Sequence, residues 1–231
     1  MPIKKRKVAI FDIDGTIFRS SLLVELLEAL IAEGVMPKST SKEYVLARSK
    51  WLDREGSYDD YIMSVIGAFR RHLKGVSQKT FLHIAKRVVD KMGKRVYCFT
   101  RDLIKELHLK GYYLLAISNS PKIILDMFCQ NYGFDHVYGR IYEIDKNDRF
   151  TGGIEFLDLI SDKAKVLARA VDHHGLTLRG SVGVGDSESD VQFLQYVDNP
   201  ICFNPNSKLR AAAKRRSWKI VVERKDVIYQ L

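Results

Sequence analysis

Residues 8–16 read Val8-Ala9-Ile10-Phe11-Asp12-Ile13-Asp14-Gly15-Thr16. Four apolar residues in an unbroken run predict a short strand buried on both faces, as in a parallel sheet. The run ends on two carboxylates, Asp12 and Asp14, and Asp-Gly is common turn chemistry. In a parallel α/β sheet, ligands bind beyond the carboxyl ends of the strands. Two acids at such an end repel each other unless a cation neutralises them, and a hard, oxygen-loving ion such as Mg2+ suits them. The same pair also fits an ordinary surface turn.

Outward from this strand the apolar period changes. From about residue 20 to 93 it is helical. Leu22, Leu26 and Leu30 repeat at i+4, and Thr40 with Glu43 reads as a capping box for a helix that Gly56 stops. A third helix is expected over about Asp59 to Leu73. A fourth places Phe81, Ile84, Ala85, Val88, Val89 and Met92 on one face and stops at Gly93. Beyond it, helices alternate with apolar strands. Thr100 reads as the cap of a helix ending at Gly111, and Tyr113 to Ile117 as a strand. A helix from Pro121, a hairpin about Lys146-Asn147-Asp148 and a helix over about Asp162 to His174 follow. Strands at 181–185, 200–203 and 219–222, with a helix after Glu188, complete the series. That order predicts an α/β fold: a Rossmann-like parallel sheet core with an inserted all-helical segment. The expected division is a core of residues 1–18 and 99–231, with a cap over 19–98.

The chain has 231 residues, enough for one to two domains at about 150 residues each and for a full core without disulfides. Hydrophobic residues make up 46% and charged residues 29%, which excludes a disordered composition. No apolar run is long enough to span a membrane, since Glu25 and Glu28 break the best candidate, Leu22 to Ile31. The basic stretch Lys4-Lys5-Arg6-Lys7 lacks the apolar run of a signal peptide and reads as a solvated lead-in to the first strand rather than an import signal. Three scattered cysteines, Cys98, Cys129 and Cys202, match no zinc or disulfide pattern and fit a cytoplasmic protein.

Lysine and arginine number 38 against 28 acids, a net charge of +10, which points to an anionic partner. The excess is uneven. Residues 19–98 carry net +6 and 207–231 another +6, whereas 99–206 carry net −4. An acidic middle between basic pieces is not a uniform nucleic-acid coat.

Three more segments place chemistry at strand ends or helix starts. Ile117-Ser118-Asn119-Ser120 leaves a strand and enters a helix, where a hydroxyl and free N–H groups suit phosphate oxygens or a plain helix cap. Lys163 opens the helix from Asp162, where a cation opposes the dipole and therefore suggests another task, unless it is merely solvated. In Val184-Gly185-Asp186-Ser187-Glu188-Ser189-Asp190, Asp186 stands at a strand end and Asp190 one turn later on the same face.

In this order, the acid pair, Ser118, Lys163 and the Asp186–Asp190 pair resemble the four motifs of the haloacid dehalogenase superfamily (HAD fold), in its phosphoserine phosphatase-like branch, subfamily IB. The likeness extends through Phe150-Thr151-Gly152-Gly153, Phe203-Asn204-Pro205 and Lys208-Leu209-Arg210-Ala211. The helical insert matches the branch's C1 cap in position and helicity only. The resemblance implies a phosphoric monoester hydrolase acting on a small phosphorylated metabolite. Asp12 is then the nucleophile that forms an aspartyl-phosphate, and Asp14 the general acid and base. Mg2+ is implied on the Asp12 carboxylate, the Asp14 backbone carbonyl and the Asp186 carboxylate. Ser118, the backbone around Asn119 and Lys163 bind phosphoryl oxygens, and Asp190 orients Lys163 or metal-bound water. A dehalogenase of this superfamily typically lacks the carboxylate at Asp14, so its presence favours phosphoryl chemistry.

Two other classes stay open at this level: transfer of the phosphoryl group to an alcohol, and a non-catalytic nucleic-acid or anionic-surface binder, which the intact acid pair disfavours. The branch's phosphoserine enzymes read the serine ammonium with a Glu nine residues past the nucleophile. Here Ser21 stands there, with Glu25 one turn later, and Arg70 and Arg71 fit the partner arginine poorly. Phosphoserine is therefore a doubtful substrate, and histidinol phosphate and lysophosphatidate stay open. His173-His174 read as a basic helix end, and Tyr58 and Tyr61 as helix packing.

Overall fold

The structure, a computed structural model, describes residues 5–231; residues 1–4, including Lys4 of the basic stretch, lie outside the described residues. Strand β1 (Arg6–Phe11) sits at the centre of an eight-stranded sheet. Its side chains alternate between the two faces. Ala9 and Phe11 enter one apolar cluster, Val8 and Ile10 the other, and all four are fully buried. This explains why the strand reads as a continuous apolar run.

After β1 come α1 (Leu22–Ala32), a 3-10 turn (Lys38–Glu43), α2 (Val45–Leu52), α3 (Tyr58–Leu73) and α4 (Gln78–Met92). Then follow α5 (Cys98–Leu109), β2 (Tyr113–Pro121), α6 (Lys122–Gln130) and the hairpin of β3 (His136–Ile144) with β4 (Phe150–Glu155). The remainder is α7 (Leu157–Ile160), α8 (Lys163–His173), β5 (Leu176–Gly185), α9 (Val191–Leu194), β6 (Asn199–Phe203), α10 (Ser207–Arg216), β7 (Lys219–Arg224) and β8 (Val227–Gln230). The strand order is β4-β3-β2-β1-β5-β6-β7-β8. The six inner strands are parallel, and β4 and β8 close the edges antiparallel.

Helices α1, α3, α4, α5 and α6 cover one face of the sheet, and α7 to α10 the other. The helices before α5 share one continuous core with the sheet. Phe18 meets Phe128 of α6 at 5.7 Å, and Phe69 and Phe81 of α3 and α4 pack on Tyr142 and Phe150 of the β3–β4 hairpin. Among the described residues no helix is long and apolar enough to cross a membrane.

Two expected caps are not formed. Glu43 does not close a box with Thr40, because its carboxylate is taken by Arg71 and His72 of α3. Helix α5 starts at Cys98, two residues before Thr100. Its first amides, on Cys98 and Phe99, donate to the Glu223 carboxylate of β7, at 3.1 and 2.8 Å. Thr100 is buried inside the helix and donates to the Thr16 carbonyl at 3.0 Å. The helix after Glu188 opens as a 3-10 turn (Glu188–Asp190) before α9.

Candidate active site

β1 pairs β2 on one side and β5 on the other. The chain order reverses there, so a crevice opens beyond the carboxyl ends of these three strands. Asp12 and Asp14 follow β1, Ser118 and Ser120 lie at the end of β2, and Asp186 follows β5. Lys163 opens α8 beside them. All line one cavity of about 480 Å3.

Lys163 is buried, and its Nζ donates to Asp12 Oδ1 at 2.7 Å and to Asp190 Oδ1 at 2.5 Å. Its place at a helix start is tolerated because the Asp162 side chain caps the amides of Ala164 and Lys165, and the charge itself points away to two carboxylates. Burial alone would lower the lysine's pKa; Asp12 and Asp190 outweigh it and raise it, so the ammonium stays charged.

Asp190 is fully buried and fully engaged. Its Oδ2 accepts the amides of Asp186 and Ser187, each at 3.0 Å, and so fixes the 186–190 turn. Gly185 lies so close beneath it that a Cβ there would strike the Asp190 side chain. Gly15 has φ +79°, and a Cβ on it would collide with the Asp186 carboxylate. The Asp-Gly turn is therefore needed twice, for its left-handed backbone and for the close approach of the third acid.

Asp14 is held at both oxygens. Oδ1 accepts the Leu22 amide of α1 at 2.6 Å, and Oδ2 accepts the Ser120 hydroxyl at 2.5 Å and that of Ser118 at 3.2 Å. Sequence reading missed Ser120. The signal was present: residues two apart on an extended strand share a face, so Ser118 and Ser120 point to the same acid. Asn119 lines the same cavity, and its Oδ1 accepts from Arg140 Nη2 at 3.3 Å. Arg140 and Tyr58 also line the cavity and were not foreseen as site residues. Tyr61 is buried in packing, as expected.

The carboxylates are electrostatically strained. Burial first, then Asp190 and Asp14, push Asp12 up to about 7 against the pull of Lys163. Burial raises Asp14 against the hydrogen bonds of Ser120, the Leu22 amide and Ser118. Burial and then Asp12 raise Asp186 well above the carboxylate range. Four acids around one lysine leave a deficit of positive charge. Carboxylate oxygens of Asp12, Asp186 and Asp190 lie within 4.8 Å of one another. This all-oxygen donor set suits a hard divalent cation. Because the oxygens of Asp190 are bound to Lys163 and to amides, Asp12 and Asp186 are the side chains left to receive it.

Comparisons with known proteins bear on the chain's family and fold. A family model for haloacid dehalogenase-like hydrolases matches residues 9–195. A phosphoserine phosphatase of Methanocaldococcus jannaschii is 26% identical over 230 residues, covering 97% of this chain and 95% of that protein. An inhibition of morphological differentiation protein from Streptomyces azureus is 23% identical over 221 residues, covering 94% and 78%. The crystal structure of a Bordetella pertussis protein of unknown function shares the fold with a TM-score of 0.73 at 19% identity, covering 94% of this chain and 98% of its own.

Proposed function

The chain belongs to the haloacid dehalogenase-like hydrolases, and on that footing we propose that it is a Mg2+-dependent phosphatase of a small phosphate monoester. In this reading, residues 1–18 and 99–231 form the catalytic core and 19–98 the cap. The observation that carries it is the joint placement of Asp12, Asp14, Lys163 and Asp186 in one cavity at the switch point of the sheet.

Asp12 attacks phosphorus in line, forming a P–O bond to its carboxylate as the ester oxygen departs. Asp14, in its acid form, gives its proton to that oxygen, then takes one from the water that cleaves the aspartyl-phosphate. Burial favours the protonated acid, and the Ser118 and Ser120 hydroxyls aim it. Lys163 and Ser118 receive phosphoryl oxygens together with the backbone around Asn119, and Asp190 holds Lys163 in place. Asp12, Asp186 and the Asp14 backbone carbonyl would hold Mg2+. That ion supplies the positive charge that lets a phosphoryl dianion approach a carboxylate. The phosphoserine phosphatase named among the relatives supports a phosphorylated substrate.

The purified protein with Mg2+ is expected to release phosphate from p-nitrophenyl phosphate, and EDTA to abolish the release. Asp12→Asn should lose at least about 1000-fold in kcat, because no nucleophile remains. Turnover that is insensitive to EDTA, or an Asp12→Asn protein with near-full activity, would refute the assignment.

A further inference from the structure

Beside the catalytic acids the cavity also has an apolar wall. Leu23 of α1 and Tyr58, Ile62, Met63 and Ile66 of α3 line it. Tyr58, Ile62 and Ile66 recur at i+4, so one face of α3 meets whatever departs from phosphorus.

The other acids that line the cavity are already paired. Outside the catalytic set, the carboxylates lining the cavity are Asp59 and Glu188. Lys208 Nζ binds both, at 3.2 and 2.6 Å, and Asn206 also donates to Glu188 at 2.5 Å. Glu25 does not line this cavity; it lines a neighbouring one that Tyr58, Asp186 and Asn206 also border. Ser21, where an acid would reach an ammonium, is buried as the cap of α1. Arg71 is tied to Glu43. The remaining charged side chain at the wall is Arg140, itself a cation. A positive group against this wall would lose its hydration, and outside the catalytic acids the residues lining this cavity offer it no free counter-charge.

Resting on the phosphatase reading, we infer that the substrate is an alkyl or aryl phosphate monoester whose leaving group is apolar beside the ester and carries no ammonium. The wall then rewards each methylene it covers, and discrimination against amino-bearing esters follows from the paired acids.

The test compares methyl, butyl and hexyl phosphate with phosphoethanolamine and phosphoserine, scored as kcat/KM with Mg2+. The expected result is a rise of about three- to fourfold per buried methylene, with hexyl phosphate at least about tenfold better than either amino ester. Lys208→Met, at an exposed position, frees Asp59 and Glu188. It should move the phosphoethanolamine-to-hexyl phosphate ratio several-fold toward the amine. A flat alkyl series, an amino ester used as well as hexyl phosphate, or an unmoved ratio in Lys208→Met would overturn the inference. Binding of hexylphosphonate against 2-aminoethylphosphonate, followed by calorimetry, gives the same ordering without turnover. If no ester releases phosphate, the phosphatase reading falls, and this binding order still decides the character of the wall.

Discussion

Lys163 shows how a residue that suits its own helix poorly serves the rest of the molecule. As the first residue of α8 it opposes the helix dipole, and that misfit marked it in the sequence. Its partners Asp12 and Asp190 lie 151 and 27 residues away, so the ion pairs themselves were not legible. The acids around it carry a stability cost that can be measured. Asp12 rises from an ordinary 3.8 to about 7, and Asp186 rises well above its ordinary value. A carboxyl whose folded pKa is raised contributes fully below its unfolded pKa and loses that contribution as pH rises through the folded one. In EDTA, stability is therefore expected to fall between about pH 4 and pH 7 from Asp12 alone. Asp186→Asn removes one of these charges. It should raise the melting temperature in EDTA at pH 8 by roughly 2–4 °C, on the order of 1 kcal/mol, with a smaller gain at pH 5 and loss of activity. A lower melting temperature at pH 8 would contradict the strain argument. Ser120→Ala removes a hydrogen bond that lowers the Asp14 pKa. The alkaline limb of kcat/KM should then move to higher pH and kcat drop severalfold, which a pH–rate profile checks.

At the scale of elements, periodicity located the strands and helices well, whereas their caps depended on distant partners. Helix α4 ends beside Gly93, and α8 carries the Asp162 cap, both close to expectation because the signals are local. The cap of helix α5 lies at Tyr97, three residues before the expected Thr100, because the first amides are satisfied by Glu223, 125 residues onward from Cys98. No window around residue 100 contains that acid. Glu223→Ala should cost about 1 kcal/mol, the usual value of a lost N-cap. Glu223→Gln should recover part of it, as thermal or urea denaturation would show. The segment after Glu188 was expected to be helix, and its first residues, Glu188–Asp190, are a 3-10 turn. The turn is tight because the Asp190 side chain folds back onto the amides of Asp186 and Ser187.

For the whole molecule, the division of charge and the helical insert were both legible, but their packing was not. The helices of residues 19–98 bury their apolar faces in the same cluster as Phe11, Leu114 and Phe128. Replacing 19–98 by a short linker is therefore expected to yield an aggregating chain, since a whole face of the sheet loses part of its cover. A soluble excised core with a cooperative melting transition would argue against that shared core. The sequence by itself determined the α/β class, the order of the inner strands along the chain, and Asp12, Asp14, Ser118, Lys163, Asp186 and Asp190 as the residues to examine. Those depend on local period and on turn chemistry, which a linear chain carries within a few residues. Only the tertiary structure decided that Ser120 and the Leu22 amide grip Asp14, that Glu223 caps α5, and that Lys208 neutralises Asp59 and Glu188. These depend on which residues the crossover connections bring together, because hydrogen bonds and charges act over a few ångströms of space whatever their separation in sequence.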